Sequence, residues 1–370
     1  MITRIIKYIS TLIVIIALLF GLRLLENTIS EQVEVKPLNV MEKDLYNGYG
    51  LKDNAQLSSK VIFEDKEYVC YSDRLLKKFS YSEDNINYLS IIMNGLLKTC
   101  KDDQRVMVMP IPPRIITEDG WVEQKESYSK YIKSMESNLP SGVQLIDVSA
   151  KLQEHNEEYI FFRTESSWTA RGAFYGMEVL GEKLGIKTRK LEDYEEYMYK
   201  SFTGNLCHIA SDKYASNVGK ISSIEDIPSD RTYYYLLPDA KNQTETIDKV
   251  NGLDYHVKRK TITESEAGIN TFVGGIWDRA IVEGDGLDTA VGENAVVMIC
   301  DYYGKLLAPF LANYYSQVYL INIYECSDFS TQINEIMKEY NVCDIILVQE
   351  SQILGDKSYN RALNSFAGVR

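Results

Sequence analysis

Residues Ala295 to Val348 read AVVMICDYYGKLLAPFLANYYSQVYLINIYECSDFSTQINEIMKEYNVCDIILV. Three apolar runs stand out in this stretch: Ala295–Cys300, Val318–Ile323 and Cys343–Val348. Each is too short for a core helix and rich in β-branched residues, so each predicts a strand. Between them, Gly304–Tyr314 and Phe329–Tyr340 carry apolar residues at helical spacing. The order is therefore strand, helix, strand, helix, strand. Strands without polar alternation are buried on both faces, which implies a parallel sheet with helices on either side. In such sheets ligands bind beyond the carboxyl ends of the strands. The turn Asp301-Tyr302-Tyr303-Gly304 occupies one of those ends and is the first place to look for chemistry.

The same alternation extends upstream. Asp84–Thr99 reads as a helix, and Val106–Ile111 as a strand ending at Met109-Pro110-Ile111. Glu123–Ser137 reads as a polar surface helix and Val143–Asp147 as a strand. A helix is expected over Trp168–Leu184, with Phe174, Met177, Leu180 and Leu184 on one face and Gly185 as its stop. Residues 186–290 are less regular, with strands expected at Thr232–Leu237 and Gly268–Phe272. No internal repeat is visible.

The N-terminus has a different character. Ile9–Leu22 is uncharged, and the apolar stretch extends from Ile5 to Leu25. As a helix it spans about 31 Å, enough for a hydrocarbon core of about 30 Å. Arg4 and Lys7 precede its centre, while Glu26 and Glu31 follow it. This charge bias predicts a single-pass plasma-membrane protein with a cytoplasmic N-terminus and an extracytoplasmic main domain. A cleaved signal peptide is the competing reading, but its best cleavage site, Thr28-Ile29-Ser30, is a poor one. The expected organisation is a cytoplasmic tip and anchor over residues 1–25, a polar connector over 26–55 and one domain over 56–370.

The net charge of −13 argues against nucleic acid as a partner, because phosphate binding needs clustered Lys and Arg. The six cysteines are scattered, with no C-x-x-C pair and no zinc spacing. Neither a metal nor another cofactor is expected. A disulfide framework is not expected in a domain of this size, although a single bridge is compatible with the sequence.

Three stretches then point to a family. Tyr159–Gly172 reads YIFFRTESSWTARG, Ser201–Leu206 reads SFTGNL, and Ala295–Leu320 places Asp-Tyr-Tyr after a buried strand, followed by a helix with Pro-Phe-Leu. Their order and spacing resemble the DHHW family, an SGNH-hydrolase-like group similar to alginate O-acetyltransferase periplasmic proteins. Gly274-Gly275 and Met109-Pro110 also fit. The resemblance implies an SGNH-hydrolase-like three-layer α/β sandwich with a mostly parallel sheet, following one N-terminal transmembrane helix.

It also implies a Ser-His-Asp triad for acyl transfer, in which imidazole takes the hydroxyl proton and the carboxylate orients the ring. This sequence departs from the family at all three positions. Glu165 stands at the Asp position, Ser167 at the His position and Tyr302 at the Ser position. Asp301, Trp168 and Tyr303 keep the surrounding pattern. A phenol titrates near 10 and is bulky where a small oxygen is needed, and Ser167 cannot act as a base.

Of the three histidines, His155 lies in a polar stretch, His256 lies among charges, and His208 follows the Phe-x-Gly-x-Leu element as a candidate lining residue of the same cleft. Ser167 has an alternative role as a helix cap. The expectation is a pseudoenzyme at the cell surface. It would act as an accessory or glycan-binding partner of a membrane-bound O-acyltransferase in cell-surface polymer acylation. The alternative is an active O-acetyltransferase or acetylesterase with a displaced constellation.

Overall fold

The computed structural model describes residues 61–209, 230–250, 253–263, 266–275, 277–288, 291–326 and 329–368. The expected anchor and connector lie outside the described residues. Among the described residues, no helix is long and apolar enough to cross a membrane.

The central sheet has eight strands. Five are parallel: β4 (Arg105–Ile111), β5 (Val143–Leu145), β11 (Ala295–Cys300), β12 (Gln317–Asn322) and β13 (Val342–Glu350). Their order across the sheet is β5, β4, β13, β11, β12. Ala295–Cys300, Val318–Ile323 and Cys343–Val348 thus fall on neighbouring parallel strands, as expected. Every residue of β11 is buried, the pattern of a strand covered on both faces.

Right-handed crossovers decide which face each helix takes. The chain steps from β11 to β12 in one direction through α5 (Tyr302–Leu311), and from β12 back across β11 to β13 through α6 (Phe329–Glu339). Helices on opposite steps fall on opposite faces. Accordingly α6 shares one core layer with α1 (Glu83–Leu97) and α2 (Val122–Asn138), built on Val106, Val108, Val297, Ile299, Ile345 and Leu347. On the other face α5 packs on α4 (Ala170–Leu184), with the Phe174 and Phe310 ring centroids 5.8 Å apart. The short α3 (Ser149–Glu154) precedes α4.

The sheet is mixed. An antiparallel extension, β10 (Arg279–Glu283), β8 (Gln243–Val250) and β9 (Leu253–Lys260), continues from β12. Sequence reading missed these strands; β9 is exposed along nearly its whole length and carries no apolar run, and β8 and β10 bury only a few residues each. Its Lys258, Arg259 and Lys260 blunt an open sheet edge. A small antiparallel sheet, β1 (Val61–Glu64), β2 (Tyr68–Tyr71) and β3 (Leu75–Lys77), precedes the main one. The expected strand near Thr232 is β7 (Asp230–Leu236), which among the described residues pairs with β6 (Glu195–Phe202) in a separate two-stranded sheet.

Two boundaries are corrected. Gly268–Thr271 is a 3-10 turn, because Gly268 at φ +62 breaks the extended backbone and its amide bonds the Thr232 hydroxyl at 2.7 Å. Trp168 lies outside α4, which starts at Ala170 with Thr169 as its cap.

Candidate functional site

The site forms where the parallel strands end. β11 stops at Cys300, and Asp301 turns the chain into α5. One Asp301 carboxylate oxygen accepts from the Tyr303 amide at 2.9 Å, capping the helix, and the other accepts from the Glu350 amide at 2.8 Å. Asp301 therefore ties the ends of β11 and β13 together. It is 4% exposed, and burial pushes its carboxyl up to about 7. Glu350 in turn pairs with Lys77 of β3 at 2.6 Å.

The motif around Glu165 is a hairpin. Phe162 N bonds Ser167 O at 3.2 Å, Thr169 N bonds Ile160 O at 2.9 Å, and Phe161 bridges Trp168. Arg163 to Ser166 form the loop that the hairpin presents. A carboxylate absent from the sequence reading shapes this loop: Asp230, fully buried, accepts from Arg163 N and Thr164 N at 2.7 Å each, and from the Tyr159 and Thr164 hydroxyls.

Gly204 of the Phe-x-Gly-x-Leu element closes on the same loop. A Cβ there would lie 2.4 Å from Thr164 O and 2.6 Å from Glu165 Cβ. Gly172 is required for a similar reason, since its Cβ would meet Ile160 O at 2.3 Å. The glycines of two motifs are thus points where backbones touch.

The two ends of the site meet through Trp168 and Tyr303. The indole N–H of Trp168 donates to Tyr303 O at 3.0 Å, and the Tyr303 hydroxyl donates to Ser166 O. The hairpin bearing Glu165 and Ser167 is therefore bonded directly to the residue after Tyr302, which brings the three departing positions into one neighbourhood.

Their side chains differ in setting. Glu165 accepts from Ser166 N at 2.8 Å and from Asn205 N at 2.9 Å. Ser167 is 2% exposed, and its hydroxyl has no hydrogen-bond partner among the described residues. It does not cap α4; the Thr169 hydroxyl does, accepting from Gly172 N at 3.3 Å. The reason is position, because α4 begins after Thr169 and Ser167 is still in the hairpin strand. Tyr302 is 40% exposed, its ring 5.8 Å from that of Tyr324, and burial of the phenol raises its pKa above the ordinary value.

His208 is exposed on a helical turn over residues 205–209, whose first amide holds Glu165. His155 is more enclosed than its polar sequence suggests. It stacks on Tyr175 at 3.6 Å and pairs with Glu158 at 2.9 Å. His256 pairs with Glu245 at 2.7 Å on the exposed β8–β9 hairpin.

Sequence reasoning missed four other neighbours of the site. Lys305 is buried one turn beyond Tyr302. Its ammonium donates to Gly275 O and lies 5.3 Å from the Trp277 ring centroid, and burial draws its pKa down to about 8. Tyr324 and Glu350 follow or end strands β12 and β13, so the rule that ligands bind at carboxyl strand ends had the power to flag them. Asp230 offered no signal, because it sits in the irregular middle of the chain and is brought in only by folding.

The fold defines the class: an α/β protein built on a mixed sheet with helices on both faces. The chain belongs to the DHHW family, whose model, described as DHHW protein, matches residues 45–321. A DHHW family protein from Eubacterium siraeum has a similar structure, with TM-score 0.64, 18% identity, and coverage of 83% of this chain and 98% of that one. PatB1 of Bacillus cereus, in a structure carrying a sulfonyl adduct, aligns with TM-score 0.58 and 12% identity over 79% of this chain and 96% of that one. The O-acetyltransferase domain of Pseudomonas putida AlgJ aligns with TM-score 0.45 and 9% identity over 84% of this chain and 99% of that one. No curated protein matches the chain by sequence at a significant level.

Proposed function

We propose that this chain is a catalytically silent member of its family, carried outside the plasma membrane by its N-terminal segment and serving a membrane-bound O-acyltransferase as an accessory or glycan-binding partner. The observation that carries the reading is the content of the three departing positions inside an otherwise complete frame. Acyl transfer needs a nucleophile that loses its proton near neutral pH and a base to take it. Tyr302 is a phenol whose pKa lies above its ordinary value, and Ser167 is a buried hydroxyl. Losing one member of such a triad costs on the order of 10⁴-fold or more, and the members act as a unit. The supporting frame of Asp301, Trp168, Tyr303 and Glu165 gives a reason to expect that a ligand surface persists.

The test is acetyl-ester hydrolysis by the purified protein. Turnover should not exceed buffer, and Tyr302→Ala should behave as the parent does. Restoring Asp, His and Ser together at positions 165, 167 and 302 is the only change expected to recover a trace of activity. Ester turnover by the unmodified protein that collapses on Tyr302→Phe would overturn the proposal in favour of an active enzyme using the phenol.

A further inference from the structure

Two of the six cysteines are brought together by the hydrogen bonds that build the Glu165 loop. Leu75 N bonds Arg163 O at 3.0 Å, and Leu206 N bonds Thr164 O at 2.9 Å. Strand β3 and the turn after Gly204 are therefore fastened to consecutive carbonyls of one segment. Cys70 lies directly across the small sheet from Leu75, and Cys207 follows Leu206. The four side chains Cys70, Leu75, Leu206 and Cys207 form one buried cluster, separate from the main core. Both cysteines are thiols in this structure.

We propose that Cys70 and Cys207 are a disulfide-forming pair that locks the turn bearing Asn205 onto the small sheet. The bond forms by thiol–disulfide exchange with a disulfide donor such as oxidised glutathione. The two thiols pass two electrons and, by way of solvent, their two protons to the donor, whose disulfide breaks as the new one forms and which leaves as two thiols. The other four cysteines have separate surroundings. Cys100 Sγ meets Leu96 O at 3.3 Å, Cys326 Sγ meets Gln332 Oε1 at 3.0 Å, and Cys343 Sγ meets Asp344 Oδ2 at 3.0 Å. Cys300 is buried beneath Gly304 of α5.

Burial pushes the Cys70 and Cys207 thiols up to about 12, helped at Cys70 by Cys207 and Asp73 and at Cys207 by Asp230 and Glu165. Protonated, buried thiols exchange slowly. The bond therefore forms as the chain folds and acts as a structural staple, holding in place the Asn205 amide that binds Glu165. It closes a long loop, the case in which a cross-link most restricts the unfolded chain.

The test uses the full-length protein, unfolded with reductant and refolded in detergent in a glutathione redox buffer. Remaining thiols are alkylated, and peptides are mapped by mass spectrometry without reduction. A peptide pair joined through Cys70 and Cys207 is expected. Reductant should then lower the melting temperature of the refolded protein by several degrees. That shift should vanish in Cys70→Ser, Cys207→Ser and the double alanine variant. Refolded protein in which both thiols are alkylated once it is unfolded, or in which either is joined to another cysteine, would overturn the pairing.

Discussion

At the residue scale, two hydroxyls two residues apart show how little type says without position. Ser167 and Thr169 are both buried, but only Thr169 serves the helix. Thr169→Ala should cost about 1 kcal/mol, the usual loss for an N-cap. Ser167→Ala should be neutral or stabilising by up to about 1 kcal/mol, since it removes a buried hydroxyl without a partner. Denaturant titrations that reverse this order would refute the assignment. Asp301 gives a pH dependence. Its folded pKa of about 7 lies above the ordinary 3.8, so the native state favours its proton. The associated stability is fully present below about pH 4 and is lost as pH rises through 7, with a slope of order 1 kcal/mol per pH unit inside that window. Glu118 and Glu158, whose pKa values are lowered, titrate below the window, while Asp230, Asp278 and Asp285, whose values are raised, act in the same direction as Asp301, so the effect is read as a difference from the Asp301→Asn variant. The wild type should thus lose stability from pH 5 to 8 relative to Asp301→Asn. A constant difference between the two across that range would sink the claim.

At the scale of elements, the site is an assembly of a hairpin, a turn and a helix start. Gly204 is where the turn meets the hairpin. Gly204→Ala would set a Cβ against Thr164 O at 2.4 Å, too close for either backbone to ignore. The expected cost is about 1–3 kcal/mol, the usual range for overpacking a well-filled contact. Thermal melts within 0.5 °C of wild type would show that the turn moves freely. Of these elements, α5 and β11 were legible in the sequence because burial on both faces leaves an unbroken apolar run. The hairpin was not. Its closing bonds, Phe162 N to Ser167 O and Thr169 N to Ile160 O, join residues whose sequence reads as the lead into a helix. The antiparallel strands β8 to β10 were equally hidden: β9 is exposed and needs no apolar pattern to pair, and β8 and β10 bury only a few residues each, several of them threonines or alanine.

At the scale of the whole molecule, the proposal places residues beyond about 30 outside the cell. Protease added to intact cells should remove a C-terminal epitope while an N-terminal one is protected. A protected C-terminal epitope would overturn the topology, and with it the proposed partnership with a cell-surface glycan.

The sequence alone determined the parallel core, because the apolar content of Ala295–Cys300, Val318–Ile323 and Cys343–Val348 leaves those strands no other environment. It also determined the family, and the loss of the expected chemical groups at 165, 167 and 302, because those are facts of residue type at motif positions. What only the tertiary structure decided is how the frame around those positions is held. The fully buried carboxylate of Asp230 gathers a loop some seventy residues away in the chain, and Asp301 spans the ends of two strands. Cys70 meets the turn after Gly204 only because both are bonded to one short segment. Such contacts carry no local signature, since a buried polar group is specified by partners that lie far away in sequence.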